Sequence, residues 1–200
     1  DFDPGPGTSY LTSAGIWDIY ILKLNTDGNF QWVKGMGRAY AESSHDIALD
    51  ENGNIYTTGS FTYTSDFDPG PGVYNLTSAG NEDTFIAKLS SSGSLLWAKA
   101  YQGIHYEVSS SLFVSSQGVY TTGFTNRIAD FDPGASIFNL GNANDEFTQF
   151  IVKLDLNNGN YTWAKAVGVE DFEYGEIHTQ SIVTDSILST AYLCGTFTGR

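Results

Sequence analysis

Basic residues, cysteine, proline and long apolar runs are all scarce in this chain. Its 200 residues hold nine Lys and Arg against 23 Asp and Glu, a formal net charge of −14. That balance repels the phosphate backbone of nucleic acids and anionic membrane surfaces, so neither is an expected partner. The single cysteine, Cys194, excludes an intramolecular disulfide framework. No apolar run reaches the length needed to span a bilayer, so membrane insertion is not expected. No stretch sustains an apolar period near 3.6, which excludes long amphipathic helices. His45, His105 and His178 lack any metal-ligand spacing with one another or with Cys194. No nucleophile motif of the Gly-x-Ser-x-Gly kind occurs.

What is present is a threefold echo. Asp-Phe-Asp-Pro-Gly begins at Asp1, Asp66 and Asp130, so 65 and then 64 residues separate the copies. The echo fills the period. Asp18-Ile-Tyr-Ile-Leu-Lys-Leu24 returns as Asp83–Leu89 and, less closely, as Thr148–Leu154. A tryptophan segment follows each: Phe30–Lys34, Leu95–Lys99 and Tyr161–Lys165. Then come Ile47–Asp50, Leu112–Ser115 and Ile182–Asp185, and finally Ile55–Phe61, Val119–Phe124 and Ala191–Phe197. Each segment is short, rich in β-branched and aromatic residues, and bounded by Gly, Asn, Asp or Ser, which is strand chemistry. Four strands per repeated unit predict an all-β chain of β-propeller blades, each of four antiparallel strands.

The same elements resemble the bacterial seven-bladed β-propeller repeat (SBBP repeat) family. The likeness rests on Asp-x-x-Ile/Phe-x-Lys-Leu, the Gly-x-x-x-Trp-Ala-Lys hairpin and Gly-Asn-Ile-Tyr-x-x-Gly-Ser-Phe, and it covers essentially the whole chain. It implies a propeller of the kind found in large secreted or bacterial surface proteins. It also implies a strand order with Ile47–Asp50 innermost and the tryptophan segment outermost. Blades then run Ser43–Ala100 and Glu107–Ala166, with half blades at Asp18–Lys34 and Thr179–Phe197. The three repeats, approximately 1–65, 66–129 and 130–200, form one propeller segment. Three repeats do not close a ring of ordinary size. Either the segment belongs to a longer propeller, or the half blades of separate copies pair head to tail.

Tight links such as Asp50–Asn54 alternate with long ones such as Asp66–Asn81, so all long loops are expected on one face, the candidate working face. Two acidic sets stand on it. Asp1 and Asp3, Asp66 and Asp68, and Asp130 and Asp132 are paired at i, i+2, and could offer oxygens to calcium. The alternative is an Asx-turn before Pro-Gly. Glu42, Glu107 and Glu176 also recur, and are expected to ring the channel mouth, where a cation or a basic partner would relieve their repulsion, unless they form only a solvated rim. The recurrent lysines (Lys23, Lys88, Lys153; Lys34, Lys99, Lys165) are expected to pair with acids such as Asp18 and Asp83. Trp32, Trp97 and Trp163 are expected to pack between blades. Trp17 falls outside that position, where it stacks on a sugar or covers the core. Cys194 replaces a Thr and is expected to be a small buried residue. The functional expectation is a non-enzymatic extracellular module, structural, adhesive or binding, whose partner is a protein or a glycan at a cell surface. The rival expectation is a polysaccharide-acting hydrolase or lyase.

Overall fold

The computed structural model describes residues 1–38, 40–144, 147–167, 177–185 and 190–197. Within them every regular element is a strand. An opening hairpin joins β1 (Ile19–Leu24) to β2 (Phe30–Met36). The first complete blade starts with β3 (Glu42–Leu49) and β4 (Ile55–Phe61). A small hairpin, β5 (Thr64–Asp66) and β6 (Asn75–Thr77), interrupts it before β7 (Asp83–Leu89) and β8 (Leu95–Ala100). β9 (Gln102–Gly103) leads into the second blade, which begins with β10 (Tyr106–Ser115) and β11 (Gly118–Asn126). β12 (Ala129–Asp130) and β13 (Asn139–Leu140) intervene before β14 (Phe147–Leu154) and β15 (Tyr161–Val167). β16 (Ile177–Asp185) and β17 (Thr190–Phe197) form the last hairpin.

The blade sheets run β3-β4-β7-β8 and β10-β11-β14-β15, antiparallel throughout, flanked by the two-stranded sheets β1-β2 and β16-β17. These are the two full blades and two half blades that the sequence predicts, with ends within a residue or two of those expected. Each innermost strand carries an irregularity at the same place, between Ser44 and Asp46, Ser109 and Ser111, and Thr179 and Ser181. A bulge there sharpens the twist that lets blades splay about an axis.

Because the strands alternate in direction, successive connections fall at opposite ends. The short turns share one end. In the Asp50–Asn54 turn, the Asp50 carboxylate accepts the amides of Asn52 and Asn54, each at 2.9 Å. Among the described residues, the long connections open at the other end.

Apolar residues pack between sheets in three layers. The first joins Ile19, Ile21 and Met36 of the opening hairpin to Phe61, Phe85 and Leu89 of the first blade. The second joins Tyr56, Ile86 and Trp97 to Leu112, Phe150 and Leu154 of the second. The third joins Tyr120 and Ile151 to Ile182 of the last hairpin. Trp32 and Trp97 do pack between blades. Trp32 lies over Gly93, in the β7–β8 turn of the next blade, and Trp97 lies over Gly159, one repeat on. A methyl group on Gly159 would stand 2.9 Å from the Trp97 ring, and φ there is +68°, so glycine is required on both counts.

The lysines depart from expectation. The Lys23 ammonium donates to the Ser91 carbonyl of the next blade at 3.0 Å, and Lys88 repeats this with Leu156 at 2.9 Å. They bridge neighbouring turns instead of meeting Asp18 and Asp83, which lie at the far ends of their strands. Lys88 also stands 3.8 Å from Asp50. Cys194 is exposed. The reason is its place on β17, which has no outer strands beside it among the described residues.

Candidate functional site

The three Asp-Phe-Asp-Pro-Gly loops are built alike. The first aspartate's Oδ1 accepts two amides: Asp1 from Asp3 and Ser9 (3.1 and 2.9 Å), Asp66 from Asp68 and Tyr74 (3.1 and 2.8 Å), Asp130 from Asp132 and Phe138 (3.0 and 2.8 Å). The second aspartate accepts the amide two residues on, at Gly5, Gly70 or Gly134 (2.7, 2.8 and 2.8 Å). This is the Asx-turn reading. Calcium takes about six to eight oxygens, and among the described residues no three His, Cys, Asp or Glu side chains converge. The Oδ1 atoms of these carboxylates serve their own turns.

The phenylalanine between the aspartates reaches backwards. Phe67 enters the layer between the opening hairpin and the first blade, 4.8 Å from Phe85 and 5.3 Å from Phe61 by ring centroids. Phe131 enters the next layer, 5.2 Å from Tyr101 and 4.7 Å from Phe150. Backbone contacts follow the same direction. The Gly37 amide donates to the Asp66 carbonyl at 3.0 Å, and β12 pairs with β9. The second and third motifs therefore each clasp the unit that precedes them, while Phe2 of the first packs on Tyr20 of the hairpin that follows.

Glu42 and Glu107 are not on an open channel mouth. Glu42 is 2% exposed and Glu107 is 0% exposed, both inside the seams between sheets; Glu176 lies outside the described residues. The cause is a backbone join at each seam. The Glu42 amide donates to the Trp17 carbonyl (2.9 Å) and the Glu107 amide to the Glu82 carbonyl (2.8 Å), which pulls each side chain inwards beside the aspartate that follows. Glu107 meets Asp83, itself 0% exposed, and accepts from the Thr125 hydroxyl at 3.0 Å. Asp83 accepts the Ala79 amide at 2.7 Å. Glu42 meets Asp18 in the same way and accepts from the Ser65 hydroxyl. Burial, with the neighbouring aspartate adding to it, pushes the Glu107 carboxyl up to about 8. Burial raises Glu42 too. Glycines make room for each pair. A Cβ on Gly37 would stand 2.7 Å from Glu42 Oε2 and 2.9 Å from Asp18 Oδ1, and one on Gly103 would collide with the Glu107 carboxyl. A glycine four or five residues before each glutamate was the available signal.

Large apolar side chains meet solvent on the long connections as well as on strands such as β1, β3 and β17. Trp17 (67% exposed), Tyr40, Tyr63, Val73, Ile104 and Ile137 (75%) all stand on long connections. Tyr40 and Tyr63 stack at 4.1 Å between centroids. The short turns among the described residues expose no large apolar side chain.

Comparison with known proteins agrees with this architecture. Residues 31–60 match the family model described as Beta-propeller repeat (SBBP). The match starts on β2 of the opening hairpin and ends on β4, so the sequence repeat straddles a seam. An uncharacterized WD repeat-containing protein of Acanthamoeba polyphaga mimivirus is 27% identical over 135 residues, covering 60% of this chain. The matched stretch spans only 9% of that relative. Matched segment, blade topology and internal periodicity agree on a propeller-type repeat architecture.

Proposed function

We propose that this chain is a non-enzymatic binding module of an extracellular, bacterial-surface propeller, and that its long-loop end is the binding surface. One observation carries the reading: exposed aromatic and aliphatic side chains stand on the clasped long connections, where Tyr40 and Tyr63 stack, and are missing from the described short turns. Contiguous exposed apolar surface rimmed by polar groups marks a recognition surface. The net charge of −14 makes a basic or neutral partner the suitable one, either a protein or a glycan. The extracellular assignment draws on the acidic, cysteine-poor composition and on the family. The test is a panel of glycans and surface proteins probed with the native chain, a Trp17→Ser/Tyr63→Ser/Ile137→Ser variant, and an Asn52→Ser control in a short turn. A ligand held by the native chain and the control but lost by the loop variant fits the proposal. A ligand indifferent to the loops, or one hydrolysed by the chain, overturns it.

A second reading concerns the half blades. In β7 every residue is buried, whereas Tyr20 and Leu24 at equivalent places in β1 are exposed. β17 likewise exposes Tyr192 and Phe197. We propose that these edges take up complementary half blades, with Gly195 opposite Tyr20, as Gly59 stands opposite Phe85 and Gly123 opposite Phe150.

A further inference from the structure

The buried carboxyl pairs do more than fill the seams. In an acidic chain, the cheapest arrangement keeps carboxylates in water. Here two successive seams each set a buried glutamate beside an aspartate, Asp83 fully buried and Asp18 half-buried with its Oδ1 shut off from water, and glycines at 37 and 103 are cut away to admit them. The donors do not satisfy the pairs. Glu107 Oε2, Glu42 Oε2 and Asp18 Oδ1 are buried with no partner when the groups are written as carboxylates. Those oxygens point at the opposing carboxyl: Glu42 Oε2 and Asp18 Oδ1 meet over Gly37, and Glu107 hydrogen-bonds Asp83. Two like charges in contact and out of water cannot both ionise cheaply. One proton between them removes the repulsion and supplies the missing hydrogen bond.

Beside Glu107, β9 and β11 carry no charged residue, Arg127 follows β11 with its carbonyl accepting from the Thr125 hydroxyl at 2.9 Å, and Lys88 occupies the opposite end of β7. On β3, His45 faces the Ser109 carbonyl (2.8 Å) and Asp46 accepts from Ser111 and Leu112 (3.0 and 2.8 Å). His178 and Asp185 lie on β16, and Glu82 and His105 flank the pair along the connecting backbone. Glu82 accepts from the Ser60 hydroxyl. Beside Glu42, β4 carries no charge, Arg38 offers its amide, and Asp66 turns into its own loop. The third seam differs. Thr148 takes the aspartate's place, and the neighbouring Gln149 accepts the Thr179 amide at 3.0 Å, a neutral bond.

We propose that each of the first two seams holds a single proton between its carboxyls and acts as a pH-sensitive lock between consecutive blades. The sign follows from linkage. The folded chain keeps a proton that the unfolded glutamate releases near its ordinary value, so folding binds protons between that value and the higher folded one. Stability contributed by the lock is present at mild acid and falls as pH rises through neutrality. The proposal is independent of what the loop face binds.

Urea unfolding of the whole chain between pH 5 and 8 tests it. The unfolding constant is expected to rise with pH by up to tenfold per unit for each lock. Glu107→Gln, which keeps shape and a donor, is expected to remove part of that slope, and Glu42→Gln the rest. An unchanged slope in both variants overturns the proposal. Should a variant not fold, carbon-13 NMR of the native carboxyls decides. At least one glutamate should titrate well above the ordinary carboxylate range. All glutamates titrating within that range overturns the lock. Calcium stabilisation that chelator reverses and Glu107→Gln abolishes also overturns it, since a cation would then occupy the pair.

Discussion

Phe131 carries a large share of what a single residue contributes here. It is fully buried, touches Tyr101 and Phe150, and belongs by sequence to a loop of the second blade while filling the layer in front of it. Phe131→Ala is expected to cost about 3–5 kcal/mol, because the loop that carries the side chain is pinned by Asp130 and cannot collapse into the space. Chemical denaturation measures it, and a loss below about 1 kcal/mol would show that the layer closes without the ring. At this scale the sequence was half legible. Asp-Phe-Asp-Pro-Gly reads as a turn because Asp, Pro and Gly each impose local geometry. Which blade receives the phenylalanine is a tertiary fact without local signature. Glu42 and Glu107 were visible as a recurrence and misplaced, since a recurring acid in an acidic chain reads as solvated until Gly37 and Gly103 are seen beside it. The lysines were half legible: Lys88 does meet an acid, Asp50, but Lys23 and Lys88 also bond carbonyls of the next repeat, which no pattern of charges can reveal.

At the scale of elements, the long strands were read closely, because each carries β-branched and aromatic residues between clear turn signals. β5, β6, β9, β12 and β13 were not foreseen. Two or three residues are too few to show an alternating pattern, and their pairing depends on which loop lies alongside. These short ladders help the second and third acidic loops hold their shape. Every first aspartate in the motif is occupied by two amide donors from its own loop, so the loops are set by hydrogen bonds that survive chelation. Thermal melting with and without EDTA should therefore give the same midpoint. A clear fall in the chelated sample would mean that cation binding contributes to loop order.

For the whole molecule, the two half blades decide how the chain behaves in solution. β17 presents a free edge and an exposed face, and β1 presents the complement. Edge strands left open seek partners. The 200-residue chain is expected to form concentration-dependent assemblies in sizing with light scattering. A monomer at all concentrations would show that copies do not pair through these edges, and would leave flanking repeats as their partners.

The backward reach of Phe67 and Phe131 gives the propeller a direction in time. A polypeptide leaving a ribosome or an export pore amino-terminus first cannot finish any blade on its own schedule. The stopper for each seam lies in the stretch still to emerge, so maturation lags emergence by a fraction of a repeat, and the most recently delivered unit is always the unfinished one.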